Sequence, residues 1–208
     1  MPLLRVNKKN VLFVHIPKTG GETVEHYLRQ VARIGFFHSN SRQRLFDCTP
    51  QHFDNEIYRV LFPAGFVDYS FAFVRHPVDR IISEYKMRIG SRFQQNKPVL
   101  TFSQWLEKSV KLLQEVPRYL DNHLTPQSKF LNPKTKLFFF ESGIELNLRQ
   151  VGKDIGVEFN FSEIIHRQKS FEGAKLIVKD SDLNTIKSIY SEDFLKFGYR
   201  LEDSKYLN

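Results

Sequence analysis

The sequence predicts an α/β fold, a central parallel sheet with helices on both faces, in three α/β/α layers. Three observations carry this. Apolar runs of strand length alternate along the chain with segments whose apolar residues recur at helical spacing. Strands separated in this way by helices pair in parallel and need a helical layer on each side. The third observation is size: 208 residues, 41% hydrophobic and 26% charged, suit a single globular domain over 1–208. A chain of that length buries roughly 70% of its unfolded surface and folds without a disulfide or metal staple.

Val11 to Ile16 is the first apolar run of strand length. Pro17-Lys18-Thr19-Gly20-Gly21 leads into a helix, because Val24, Tyr27, Leu28 and Val31 sit at i, i+3, i+4 and i+7. Tyr69 to Arg75 reads as a second buried strand. His76-Pro77 then opens a helix, proline being at home in the first helical position; Val78, Ile81, Ile82, Tyr85 and Ile89 make its apolar stripe. Thr101 and Gln104 have capping-box spacing ahead of a helix with Phe102, Trp105, Leu106 and Leu113. Lys136 to Glu141 is a third strand, and Ser142 with Glu145 is expected to cap a helix ending near Gly156. A last helix is expected over Leu183 to Phe194.

Composition narrows the partners. Lys and Arg number 31 against 23 Asp and Glu, a net charge of +8. That surplus favours anions: nucleotides, sulfated or phosphorylated substrates, nucleic acid or an acidic membrane. The single cysteine, Cys48, forms no internal disulfide and builds no zinc site alone. The 20 phenylalanines are most simply core residues. Met1 to Asn10 lacks the apolar block of a secretory signal. The most apolar stretch, Val60 to Val74, is broken by Pro63, Gly65 and Asp68 and falls short of the ~20 residues a span needs. No transmembrane segment and a cytoplasmic location are therefore expected.

The sharpest local signal follows the first strand. In His15-Ile16-Pro17-Lys18-Thr19-Gly20-Gly21-Glu22-Thr23 the glycines let backbone N–H groups approach an anion, and the helix start adds its positive dipole end. Lys18 supplies a full charge, and Thr19 and Thr23 supply hydroxyls. An ordinary turn with a solvated lysine is the competing reading, and a lone Gly-Gly would support it. The Walker pattern places lysine after the glycines with Ser/Thr on magnesium; here Lys18 precedes Gly20 and Gly21, which argues against a metal-dependent kinase.

The second junction, Phe73-Val74-Arg75-His76-Pro77-Val78-Asp79-Arg80-Ile81-Ile82-Ser83-Glu84-Tyr85, repeats the theme. Arg75 stands at a strand's C-terminal end, where open parallel sheets bind ligands, and Ser83 follows two helical turns on. Together they could clamp a second phosphate; alone, a salt bridge from Arg75 to a carboxylate would be the simpler account.

Two such junctions in this order resemble the PAPS-dependent sulfotransferases. HIPKTGGETV resembles their 5′-phosphosulfate loop, and FVRHPVDRIISEY resembles their 3′-phosphate motif. The likeness is greatest to the branch containing heparan sulfate 2-O-sulfotransferase and its compact bacterial relatives. Thr49-Pro50-Gln51-His52, Thr125-Pro126-Gln127 and the tail from Ile189 to Tyr199 support it. The resemblance implies a P-loop-like sulfotransferase fold and transfer of a sulfuryl group from 3′-phosphoadenosine 5′-phosphosulfate (PAPS) to an acceptor hydroxyl. The expected product is 3′-phosphoadenosine 5′-phosphate. Lys18, Thr19, Gly20, Gly21 and Thr23 would hold the 5′-phosphosulfate, and Arg75 and Ser83 the 3′-phosphate. Glu22 departs from the family's small hydroxyl residue and is left outside the site. Catalysis would rest on positioning and charge, with Lys18 at the leaving oxygen and no metal.

The acceptor hydroxyl needs a base titrating near neutrality. His52, in the loop Thr49-Pro50-Gln51-His52-Phe53, matches where relatives of this branch carry a histidine base, and His123 is the competitor. His15 reads as strand-packed and His76 as a neighbour of Arg75, while His26 and His38 have no motif context and His166 is more distant. Arg92, Lys97, Arg118, Lys129, Lys134 and Lys136 could meet an anionic saccharide or form a solvated basic face. A small-molecule kinase and a non-catalytic polyanion or nucleic-acid binder are the alternative functions; no RNA-binding motif or zinc finger supports the latter.

Overall fold

The computed structural model describes residues 2–35, 46–95, 97–162 and 176–207. Its sheet has five strands: β1 (Leu3–Val6), β2 (Lys9–Val14), β3 (Ile34–Gly35), β4 (Tyr69–Val74) and β5 (Lys136–Phe139), in the order β3-β1-β2-β4-β5. The three predicted strands pair in parallel, with Phe13 opposite Phe71 and Phe73 opposite Phe138. The α/β expectation holds, with one addition. β1 runs antiparallel to both β2 and β3, so the sheet is mixed at that edge. Asn7 and Lys8 make the β1–β2 turn with φ of 47° and 66°, the left-handed pair that a tight hairpin requires. An Asn-Lys turn lacks the glycine that usually marks one. The first strand ends at Val14, because Ile16 has already turned to bond Val14 O (3.0 Å).

Side-chain alternation sorts the two faces. Val11, Phe13, Phe71, Phe73 and Phe138 pack under α1 (Gly21–Val31) and α5 (Ile144–Ile155), meeting Val24, Leu28, Leu148 and Val151. Leu12, Val14, Ala72 and Val74 face the other way, onto Phe53, Ile57 of α2 (Asn55–Leu61), Phe130 and Phe197. Phe13, Phe71 and Phe73 touch ring to ring in the core, as expected, whereas Phe93 and Phe139 are exposed. A third cluster joins α3 (Pro77–Gln94) to α4 (Phe102–Glu115), α6 (Asp180–Ile189) and α7 (Ser191–Phe197). Both halves of the Thr101–Gln104 capping box form.

Two helix ends differ from expectation. Gly143, at φ 89°, is the N-cap of α5 and no side chain caps it, so Ser142 does not play that part. The expected last helix is two, broken at Tyr190 (φ −105°, ψ 24°). Ile186, Tyr190 and Phe194 still reach one core at i, i+4 and i+8, which is why the periodicity ran through the break. Among the described residues no helix is long and apolar enough to cross a membrane.

Candidate active site

Between β2 and α1 the loop closes on itself, Thr19 Oγ1 donating to Ile16 O at 2.9 Å. Lys18 and Gly20 both adopt left-handed backbone, at φ 69° and 85°. The two glycines serve different ends. Gly20 needs its positive φ, and a Cβ there would come within 2.5 Å of Ile144 Cδ1. Gly21 opens α1, and its missing side chain is replaced by an imidazole: a Cβ would fall 2.0 Å from His15 Nε2. Thr23 stands half-buried in the first helical turn, and Glu22 points outward, exposed. Lys18 is half-buried with Nζ 3.2 Å from Met87 Sδ. Burial holds its amine below the ordinary lysine value, while Glu84 pulls in the other direction.

The second junction is bolted to the first by two arginines. Arg75 Nη1 donates to Lys18 O (3.1 Å), and Arg80 Nε donates to Pro17 O (3.1 Å). Both guanidiniums are buried. Arg75 lies over the Phe140 ring at 4.6 Å, its Nε has no partner, and among the described residues no carboxylate is in salt-bridge range. The simpler account of Arg75, a salt bridge, is therefore not what the fold builds. Ser83 is buried in α3, one turn before Met87, which meets Lys18, and one turn after Asp79, which faces Arg75 electrostatically. Both Thr-Pro-Gln segments turn a glutamine onto a strand end. Gln51 Nε2 lies 3.1 Å from His15 Nδ1, and Gln127 bonds both Arg75 N (2.9 Å) and Arg75 O (2.8 Å). Asp193, in the tail, accepts from Gln127 N and Ser128 N at 2.9 Å each. Glu141 accepts from His76 N (2.7 Å) and Tyr199 Oη (2.9 Å), a structural use for this carboxylate.

Three histidines then file past these loops, each held at Nδ1 by an acid. His15 meets Glu25 at 2.6 Å, His52 meets Asp121 at 2.8 Å, and His123 meets Glu84 at 2.7 Å. The His15 and His52 rings are 5.2 Å apart, those of His52 and His123 4.7 Å. Burial pushes His52 down to about 3 against the opposing pull of Asp121, so at neutral pH its imidazole is uncharged. Asp121 is held down to about 2 by His52 and by Thr49, which donates from N (2.6 Å) and Oγ1 (2.8 Å). Glu84, fully buried, is held down to about 2 by His123, Arg88 and Lys18. Asp121 sits in a strained turn: Arg118, Leu120, Asp121 and Asn122 all have φ between 50° and 68°. Left-handed backbone costs roughly 1–2 kcal/mol per ordinary residue, so the surroundings must impose it. They do, through Arg118 on Asp54 (2.8 Å), Asn122 on His52 O (2.9 Å) and Arg80 on His123 O (2.9 Å).

The fold thus brings Lys18, Thr19, Gly20, Gly21, Arg75 and Ser83 to neighbouring strand ends, with His52 and His123 beside them. Arg80, Glu84, Asp121 and Gln127 are the members that sequence reasoning missed. Of the basic residues considered for an acceptor, Arg118 pairs with Asp54, Lys129 with Glu192 (3.5 Å) and Lys136 with Asp154 (2.6 Å), which favours a structural role for these three. His38 and His166 lie outside the described residues.

A largely parallel sheet whose strand ends carry a glycine-lysine loop, a buried arginine with no ion pair and acid-held histidines has the make-up of a group-transfer enzyme. The family model described as "Sulfotransferase family" matches residues 2–200, and the chain belongs to that family. It is a sulfotransferase, which sets aside the kinase and the non-catalytic binder. Searches of curated proteins and of solved structures return no match.

Proposed function

We propose that the chain moves the sulfuryl group of PAPS to a hydroxyl of a carbohydrate, in the manner of the heparan sulfate 2-O-sulfotransferase branch. The observation that carries the nucleotide half is Arg75: a buried cation, short of one hydrogen-bond acceptor, anchored to the backbone of Lys18. Burying a charge without a paired counter-charge is costly; Asp79 and Glu141 act on Arg75 from beyond salt-bridge range, and a 3′-phosphate would supply the missing acceptor and a direct partner. Ser83, one turn along α3 from Asp79, would share that phosphate. Lys18, Thr19, Gly20, Gly21 and Thr23 would receive the 5′-phosphosulfate at the start of α1.

Transfer is an in-line displacement in which the acceptor oxygen bonds to sulfur as the bond from sulfur to the phosphate oxygen breaks. Lys18 meets the charge growing on that leaving oxygen, and stabilises the transition state more than the ground state. Asp121 takes the Nδ1–H of His52 and leaves the Nε2 lone pair to accept the acceptor's proton. This geometry asks no metal of the reaction. Calorimetric titration with adenosine 3′,5′-bisphosphate tests the reading. The wild type should bind, and Arg75→Ala should weaken binding roughly 10- to 150-fold, the cost of one charge-assisted contact. A nucleotide lacking the 3′-phosphate should be indifferent to that substitution; equal weakening of both ligands would remove Arg75 from the 3′-phosphate.

A further inference from the structure

Two histidines and an aspartate of the site converge. His52, Asp121 and His123 each present a ligand atom, and the three atoms lie within 4.8 Å of one another. His52 Nδ1 and Asp121 Oδ2 are already 2.8 Å apart, sharing one proton. His123 is fixed at Nδ1 by Glu84, so Nε2 is the nitrogen it can offer. A carboxylate behind a histidine is the usual outer support of a metal ligand, setting its tautomer and orientation. Asp121 has its own outer support in Thr49 N and Oγ1.

We propose that this triad is an inhibitory site for a divalent transition-metal ion of the zinc class, bound by His52 Nδ1, a carboxylate oxygen of Asp121 and His123 Nε2. Two imidazoles and one carboxylate suit zinc, with one position open to water. Magnesium and calcium, which demand oxygen ligands, are excluded by the same set. Tetrahedral bonds of ~2.1 Å put donors ~3.4 Å apart, so the widest pair must close by about 1.4 Å. The turn over Arg118–Asn122 holds one ligand, Asp121, and runs directly into a second, His123, so the closure would fall on this segment. On binding, the metal takes the place of the proton between His52 Nδ1 and Asp121, and that proton passes to His52 Nε2. The lone pair that accepts the acceptor's proton is then gone. Binding itself does not depend on the proposed function; the loss of turnover rests on His52 being the base.

Untagged full-length protein is titrated with zinc chloride by calorimetry, and the same samples are assayed for sulfuryl transfer. Expected are one zinc per chain and at least 10-fold weaker binding in His52→Ala, His123→Ala and Asp121→Asn. Glu84→Gln should weaken binding 10- to 100-fold as an outer support. A cooperative thermal melt of each variant checks that it is folded, and a zinc-dependent rise in Tm confined to the wild type reads binding a second way. Transfer should fall along the zinc binding curve, return with a chelator, and ignore millimolar magnesium. No saturable uptake below millimolar zinc, or uptake unchanged in folded His52→Ala/His123→Ala, overturns the site. If zinc binds through the triad while transfer continues, the metal site stands but its inhibitory role and the base assignment both fall. If no zinc binds while His52→Ala stops transfer, the metal site falls and the base stands.

Discussion

Gly21→Ala adds one methyl group, and the structure says what it meets. The new Cβ would lie 2.0 Å from His15 Nε2, 2.3 Å from Cδ2 and 2.4 Å from Cε1, where ordinary contact begins at 3.4 Å. The ring must withdraw by about 1.4 Å or α1 must shift. Retreat is blocked on each side: Nδ1 is 2.6 Å from buried Glu25, Phe13 stacks at 5.4 Å, and the His52 ring stands edge-on at 5.2 Å. Overpacking costs ~1–3 kcal/mol and loss of a charge-assisted bond ~1.5–3 kcal/mol. Better helix propensity returns at most ~1 kcal/mol. The net is about 2–5 kcal/mol, or roughly 5–20 °C in Tm for a domain of this size. Urea and thermal melts of the wild type, Gly21→Ala, His15→Ala and the double variant measure it. Without the ring, alanine at 21 should cost nothing or stabilise by up to ~1 kcal/mol. An unchanged cost in the His15→Ala background would refute the packing account. So would a stable Gly21→Ala that merely binds nucleotide poorly, which would return Gly21 to its expected role of letting an anion reach the backbone.

Arg80→Met removes donors from three carbonyls, Pro17, His123 and Thr125, and should destabilise the protein by at least ~3 kcal/mol in chemical denaturation; a loss under ~1 kcal/mol would show that the loops hold one another without it. His52→Ala should lower kcat ~10²–10⁴-fold with bisphosphate affinity nearly unchanged, and the wild-type rate should persist on acidification below the ordinary histidine value of ~6.5. An acid limb centred at or above that value would contradict the buried neutral imidazole. His52 and His15 are both depressed by burial, so the unfolded chain takes up protons that the folded one refuses. Their contribution is intact above ~6.5 and lost as pH falls, about 2 kcal/mol for His52 between pH 6.5 and 5 at ~1.36 kcal/mol per unit. Glu25, Glu84 and Asp121, also depressed, add a second loss below ~4. Melting curves across pH 7 to 5 should show the first loss, and His52→Ala should flatten it.

What could be read before the fold was known is local in the chain. A strand followed by lysine, threonine and two glycines, or by arginine, histidine and proline, carries its chemistry within a dozen residues. Periodicity and the Thr101–Gln104 box work at the same range. Where local rules are silent the reading failed. Asn7-Lys8 turns a hairpin without glycine. Gly143 starts a helix that Ser142 was better suited to cap. Tyr190 lies at the break between two helices, and its hydroxyl donates to Leu124 O at 2.7 Å, a partner 66 residues away. Glu84 and Asp121 sit 39 and 69 residues from the histidines they hold, and no spacing announces them.

The two arginines explain why the pair of motifs means more than either alone. Among the described residues neither Arg75 nor Arg80 has a carboxylate in salt-bridge range, although Asp79 and Glu141 act on Arg75 from further off; each guanidinium donates to backbone carbonyls of the other motif's loop or of the His123 loop. The Pro17 and Lys18 carbonyls accept from Arg80 and Arg75, and Lys18 between them has a left-handed φ of 69°. The positive charge at Arg75 is left over from that construction, facing Phe140 with one donor unspent. A fold that only needed to join two loops could do so with neutral amides, as Gln127 does for Arg75's own backbone. Guanidiniums buried with no ion pair in direct contact are what the proposed nucleotide phosphate would complete. The coupling also has a cost for evolution of the site: a change at Arg80 alters the Lys18 loop, the His123 loop and, through Glu84 one turn on, the orientation of the imidazole itself. Donor loop, arginine pair and histidines therefore behave as one unit, and substitutions among them should be strongly non-additive.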